Sequence, residues 1–558
     1  MSPRLSLAIG LGAFALALRM LASAGGSIIP ESDETGYLSD GLLLLEGLTP
    51  GYKHVPNAVM NWLVLLYAGV QTLAAWFGGL VEISAPALTR PLLAMEHALF
   101  VDYADLNGLR LMVIVLQVVA GTGAVVAVAW RGHLIAGTWG AVLAGALAAA
   151  TPFFVEFTRQ TRSYSLAWSL GLLAFAALAI APRSSRAMIA GALIGLALAT
   201  RIEMVLVLVP LILELMQREE SGRRRLAALQ CLAVTAVVFL VAAPWYVTSL
   251  VGNLRQIISV RLLSPDAPRG YEAQAFLDLI LTGVALPLVG TIVVLLLTRP
   301  RGSGVYTVAI GLWMAALALA MRPSVHGLRH EGALFLLSAV MAPVALARAS
   351  EATRNMTANR VVAVVATLLA LHIGLAGMHA AWVEYGKTVR ADPVAWLEQN
   401  VPEGATVYWV DGFKMPLPTP ESADAVWGQV THQHAWLIKY RQAARRLALG
   451  DRVPRAMSED PMALEEALRR RWFILGAMVD STRRRFNLRP VAEGTSFAAS
   501  HLEVVEVLCT RGGTYAYYGR PVTRLGPPTM VWLPRNQTTL NWVIYSFDER
   551  PEGAARRC

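Results

Sequence analysis

The chain has 558 residues, 55% of them hydrophobic and only 15% charged, against about 25% charged in an ordinary soluble domain. That composition, with a mean hydropathy of +0.50, excludes a single soluble globule and reads as a polytopic membrane protein. The net charge of +10 belongs to loops that orient membrane segments; no zinc-finger spacing or other nucleic-acid motif accompanies it, so no nucleic acid is expected as a partner.

Apolar runs recur every 20–30 residues as far as residue 380. Eleven read as membrane helices: 5–24, 109–130, 134–152, 164–181, 187–200, 203–216, 226–249, 275–298, 304–321, 331–348 and 360–380. The first, interrupted only by Arg19, resembles a signal sequence; with so many spans following, a retained helix is expected. The run 57–78 is also apolar enough to span. If it lies in the outer leaflet instead, the loops at 131–133, 182–186, 217–225, 299–303 and 348–360 face the cytoplasm. These carry Arg131, Arg183, Arg186, Arg218, Arg223, Arg224, Arg225, Arg299, Arg301, Arg348, Arg354 and Arg360, as the positive-inside rule prefers. Helices 187–200 and 203–216 reach about 21 Å each, short of a bilayer core of about 30 Å. The turn Thr200-Arg201-Ile202-Glu203 is therefore expected to be recessed below the surface.

Beyond residue 380 the composition changes to charged residues, prolines and short β-rich runs such as Ala405 to Val410 and Leu502 to Leu508, alternating with helical stretches at 392–400 and 461–471. This predicts a soluble α/β domain of about 170 residues, outside the cytoplasm. The boundaries are 1–380 for an all-α polytopic membrane domain with juxtamembrane helices, and 381–558 for the α/β domain. Of three cysteines, Cys509 and Cys558 are close enough to the C-terminus to pair, but two cysteines make no framework, and no His/Cys cluster suggests a structural metal.

Several polar groups fall on the non-cytoplasmic side in this topology. Glu31, Asp33 and Glu34 follow the first helix, and Lys53-His54 follow an amphipathic run. Glu156, Arg159, Arg162 and Tyr164 lie between the third and fourth spans. Arg201 occupies the recessed turn, and Arg255, Arg261 and Arg329 lie in later outer loops. Glu82, Glu96, Asp102 and Asp105 read as a solvated insertion. Carboxylates and arginines on one membrane face suit transfer of a sugar from a lipid phosphate. The cations stabilise the departing phosphate, and a carboxylate takes the proton of the attacking hydroxyl. Carboxylates at Asp33, Glu34 and Glu156 are also oxygen ligands of the kind Mg²⁺ or Mn²⁺ takes, so use of a metal stays open.

Asp33-Glu34 with Tyr37, Gly41, Gly47, Tyr52 and His54-Val55-Pro56, then Pro152 to Tyr164 with Arg162, Tyr164 and Leu166, then Pro244-Trp245-Tyr246, resemble the motifs of GT-C membrane glycosyltransferases. The closest likeness is to the branch of protein O-mannosyltransferases and the lipid A aminoarabinose transferase. The resemblance implies a GT-C membrane domain, a polyprenyl-phosphate sugar donor and an acceptor hydroxyl on a glycan, lipid or protein. It also implies an inverting reaction at the outer face of the cytoplasmic membrane, and Asp33 as base with Glu34 beside it. Gln160 stands where relatives often carry glutamate, and Val55 and Asn57 break the expected prolines and leucine. Two other functions stay open: a ligase or polymerase using a diphosphate-linked oligosaccharide, and a lipid or glycan transporter with no chemistry. A transporter would place its charges near the midplane, often in two repeated halves, and no such repeat is visible.

Overall fold

An apolar run in lipid must satisfy its backbone internally, and helices are the way one chain segment does so. The computed structural model describes residues 3–24, 41, 44, 56–77, 105–158, 160, 162–247, 285–297, 304–320, 332–353, 356–389 and seven short strands between 406 and 547. Its helices are α1 Pro3–Ser23, α2 Ala58–Phe77, α3 Asp105–Ala150, α4 Pro152–Glu156, α5 Tyr164–Ile180, α6 Arg186–Thr200, α7 Val205–Arg218 and α8 Arg224–Ala242. Then come α9 Pro244–Val247, α10 Ala285–Leu297, α11 Gly304–Ala320, α12 Gly332–Thr353 and α13 Met356–Val389. Each expected membrane segment overlaps a described helix, with breaks inside some of them. Five stretches are long and apolar enough to cross a membrane among the described residues: Leu5–Ser23, Leu111–Ala150, Arg224–Ala242, Gly332–Glu351 and Arg360–Tyr385.

The second stretch is two legs. Helical geometry fails at Ala136 (φ −133°, ψ 23°) and Gly137 (φ 64°, ψ −152°). There the chain reverses, so that a Cβ on Gly132 would collide with the carbonyl oxygen of Gly140. Glycine tolerates the positive φ at 137, which a side chain would strain. The expected turn at 131–133 is thus displaced to 136–137. Arg131 is not a loop arginine: it lies within the helix and is 0% exposed, because a carboxylate on α7 meets it there. The expected helix 226–249 is also shorter. It stops at Ala242, where Pro244 disfavours helical geometry at Ala243.

α2 is pinned at its N-terminal end. Asn57 has a positive φ of 51°, and its backbone N–H donates to the Thr200 carbonyl at 3.3 Å. The indole of Trp62 donates to the Ala242 carbonyl at 2.8 Å, and that of Trp245 to the Pro56 carbonyl at 3.0 Å. The start of α2 is thereby fastened to the ends of α6 and α8.

The chain divides into two compact units, one holding the helices up to Trp382 and the other the strands. The strands are β1 Thr406–Trp409, β2 Arg455–Ala456, β3 Trp472–Gly476, β4 Arg489–Pro490, β5 Glu506–Cys509, β6 Ala516–Leu525 and β7 Trp542–Phe547. They form one mixed sheet in the order β2-β1-β3-β7-β6-β5-β4, parallel at β1–β2 and β1–β3 and antiparallel elsewhere. Pro521, which has no N–H for the ladder, sits at the register shift in β6. The helices expected at 392–400 and 461–471, and Cys558, lie outside the described residues.

Candidate functional site

The site grows from two breaks in helical geometry. The first lies between the end of α4 at Glu156 and the start of α5 at Tyr164. Between α6 and α7, Arg201 is extended (φ −146°, ψ 117°) before a single 3₁₀ turn, Ile202–Met204. Both breaks are followed by a helix start, and the two starts bring their side chains together.

An aromatic cluster forms the floor. Phe153 lies 4.2 Å from Trp168 and 4.7 Å from Phe157, centroid to centroid; Phe157 lies 5.0 Å from Tyr164, and Tyr164 5.2 Å from Trp168. Phe335 of α12 closes it at 5.4 Å from Phe153. Two arginines rest on adjoining rings of this cluster. The Arg201 guanidinium carbon is 3.6 Å from the Tyr164 ring centroid, and that of Arg162 is 5.8 Å from the Phe157 centroid. Both arginines are 2% exposed. Arg201 also donates to Glu203 at 3.0 Å. An aromatic face attracts a cation without neutralising its formal charge. Two guanidinium groups from separate hairpins therefore lie on adjoining rings of one aromatic cluster.

Of the residues expected at the site, Arg162, Tyr164 and Arg201 are brought together. Tyr164 is beneath Arg201, 6% exposed, and acts as its shelf. Glu156 ends α4 and is half-buried. Thr200 and Arg201 are buried, in keeping with a recessed turn. Asp33, Glu34, Lys53, His54, Arg159, Arg255, Arg261 and Arg329 lie outside the described residues. Among the described residues no three His, Cys, Asp or Glu side chains gather as metal ligands.

One neighbour was not anticipated. Gln117 of α3, 0% exposed, donates through its Nε2 to the carbonyls of Gln160 (3.0 Å) and Arg162 (3.1 Å). The available signal was a single amide within the apolar run 109–130.

The opposite ends of α5, α6 and α7 carry a different cluster. Arg131 makes a two-pronged pair with Glu214, at 2.7 Å to each oxygen, and donates to the Val340 carbonyl. Arg218 joins Glu214 at 2.8 Å. Glu219 accepts from Arg183 and Arg186, each at 3.4 Å, and Glu220 pairs with Arg183 at 2.9 Å. Gln217 accepts from Thr307, which accepts from Arg348. The hydrogen bonds to Glu220 hold the Arg183 guanidinium above its ordinary pKa. Arg131, Arg183, Arg186, Arg218 and Arg348, among the arginines that the charge count assigned to the cytoplasm, lie at this end.

A helical membrane protein with a buried arginine pair on an aromatic floor is the class these features define. Residues 92–247 match the family of dolichyl-phosphate-mannose-protein mannosyltransferases. That interval contains Gln117, the whole aromatic segment of α4 and α5, Arg162, Arg201 and Glu203. The chain thus resembles the GT-C glycosyltransferases of the protein mannosyltransferase branch. Among solved structures it is similar to ArnT from Cupriavidus metallidurans bound to undecaprenyl phosphate, at 14% identity over 96% of this chain and 97% of that one, with a TM-score of 0.44. It is also similar to the Archaeoglobus fulgidus oligosaccharyltransferase in its apo form, at 13% identity over 85% of this chain and 69% of that one, with a TM-score of 0.46. No curated protein matches the chain.

Proposed function

We propose that this protein is a membrane glycosyltransferase that moves a sugar from a polyprenyl-phosphate donor to an acceptor hydroxyl at the outer face of the cytoplasmic membrane. The observation that carries this is the convergence of Arg162 and Arg201, both buried, on adjoining rings of one aromatic floor. The match to a family named for a polyprenyl-phosphate sugar over the same interval supports it.

The acceptor oxygen attacks the anomeric carbon, and its proton passes to the Asp33 carboxylate. The bond from that carbon to the phosphate oxygen breaks, and the bonding pair leaves with the lipid phosphate. Attack opposite the leaving group inverts the anomeric centre. Arg162 and Arg201 bind the phosphate and stabilise the charge that grows on it as the bond breaks. Glu34 flanks the base. Lys53, His54, Glu156, Arg159, Arg255, Arg261 and Arg329 are assigned to the surrounding donor and acceptor sites. Mg²⁺ or Mn²⁺, if used, would be held by Asp33, Glu34 and Glu156. The α/β domain, residues 381–558, lies outside the cytoplasm in this reading. A transporter would carry its charges near the midplane, whereas these arginines stand where helices end.

The test is transfer by the purified full-length protein from a panel of polyprenyl-phosphate and polyprenyl-diphosphate sugars, with Asp33→Asn alongside. Turnover is expected with a monophosphate donor, and the variant is expected to lose about 10²–10⁴ in rate. Turnover with diphosphate donors only moves the protein to the ligase class. Wild-type turnover by Asp33→Asn removes that residue from the mechanism.

A further inference from the structure

We propose that Gln117 is the positioning residue for Arg162, and that it sets the donor affinity of this site by fixing the backbone from which that arginine projects. The role rests on the donor-phosphate assignment above and extends it to a residue on a different hairpin.

Gln117 lies 43 and 45 positions before the two carbonyls it meets, those of Gln160 and Arg162. Both hydrogen bonds come from one amide nitrogen. The carbonyls of Gln160 and Arg162 therefore converge on one donor group. The amide orientation is determined by its surroundings. Turned over, Oε1 would face two carbonyl oxygens, acceptor against acceptor, and both bonds would be lost. As placed, Oε1 is buried and meets no donor among the described residues. An apolar leg of a membrane hairpin thus tolerates an imperfectly satisfied amide to hold one turn. A buried polar group of that kind in lipid surroundings is expensive, and function is the default explanation for its presence.

What the turn carries makes the purpose specific. Arg162 projects from it toward the Phe157 ring, Ser163 immediately precedes α5, and Tyr164 supports Arg201. Neither nitrogen nor oxygen of Gln117 bonds any of these side chains, so it touches no proposed substrate atom. It acts through the backbone on the direction of the Arg162 side chain. Small displacements of a positioned charge cost affinity steeply.

The test measures donor KM and kcat for wild type, Gln117→Met, Arg162→Ala and the double variant, all as purified full-length protein. Methionine keeps the length of the side chain and removes both donors; Gln117→Glu, which keeps its shape, is the second variant. Gln117→Met is expected to raise donor KM by about five- to tenfold, with kcat within about twofold of wild type. Arg162→Ala is expected to raise it by about tenfold or more. The double variant should match Arg162→Ala alone, because Gln117 has nothing left to position. Multiplication of the two effects in the double variant, a fall in kcat with KM unchanged, or wild-type constants in Gln117→Met would each overturn the proposal. Loss of folded protein in both Gln117 variants would make it a structural residue and overturn it equally. Wild-type KM in Arg162→Ala is a different failure: it removes the donor-phosphate assignment itself.

Discussion

The two ends of the α5–α7 helices use the same residue type in opposite ways. At one end Glu214 is shared by Arg131 and Arg218, and Glu219 and Glu220 engage Arg183 and Arg186. Carboxylates balance those arginines, and the cluster ties α3, α7 and α12 together. At the other end Arg162 and Arg201 lie on aromatic rings, and the carboxylate seen beside them, Glu203, reaches Arg201 through one oxygen. An aromatic face holds a guanidinium group in place without cancelling its charge. The first arrangement stabilises a fold; the second is suited to a ligand that brings its own negative charge.

The largest effect expected from breaking that contrast is at the carboxylate end. Glu214→Ala strands two arginines, one of them fully buried, and should lower stability by about 3–5 kcal/mol. The loss is read by denaturant unfolding of the purified protein, with donor KM of the remaining folded fraction unchanged. A wild-type unfolding curve would show that the network contributes nothing. A smaller effect is expected at the aromatic end. Tyr164→Leu keeps apolar bulk but removes the face beneath Arg201, a contact worth about 0.5–2 kcal/mol. Donor KM should rise by about two- to thirtyfold with stability little changed, and an unaltered KM would show that the stack does not orient Arg201. The smallest is Arg183→Ala. This pair is exposed to water, so stability should barely change and transfer should be untouched. Weakened donor use in that variant would contradict the division between the ends.

The long helices were legible because each is an apolar run with charged punctuation, and they overlap the expected apolar runs. The hairpin turn was not. Arg131 reads as a loop residue in isolation; its partner Glu214 is 83 positions away, and only the fold shows that a buried pair removes the reason to place it in a loop. Gly137, five residues on from Gly132, was the residue that could take the positive φ. At the site, the order of motifs and the count of loop charges were enough to put Arg162, Tyr164 and Arg201 on one side of the membrane domain. They could not show that Tyr164 is a support rather than a surface ligand, since that depends on the extended backbone at Arg201. Gln117 was hidden for the same reason as Arg131: its meaning lies in carbonyls more than 40 residues distant.

The central claim is that Arg162 and Arg201 together receive the phosphate of a lipid donor. It is tested most directly by binding of a sugar-free polyprenyl phosphate to purified wild type, Arg162→Ala and Arg201→Ala, followed by tryptophan fluorescence. A charge-assisted hydrogen bond is worth about 1.5–3 kcal/mol, so each variant should bind about tenfold or more weakly. Wild-type affinity in both variants would contradict the claim.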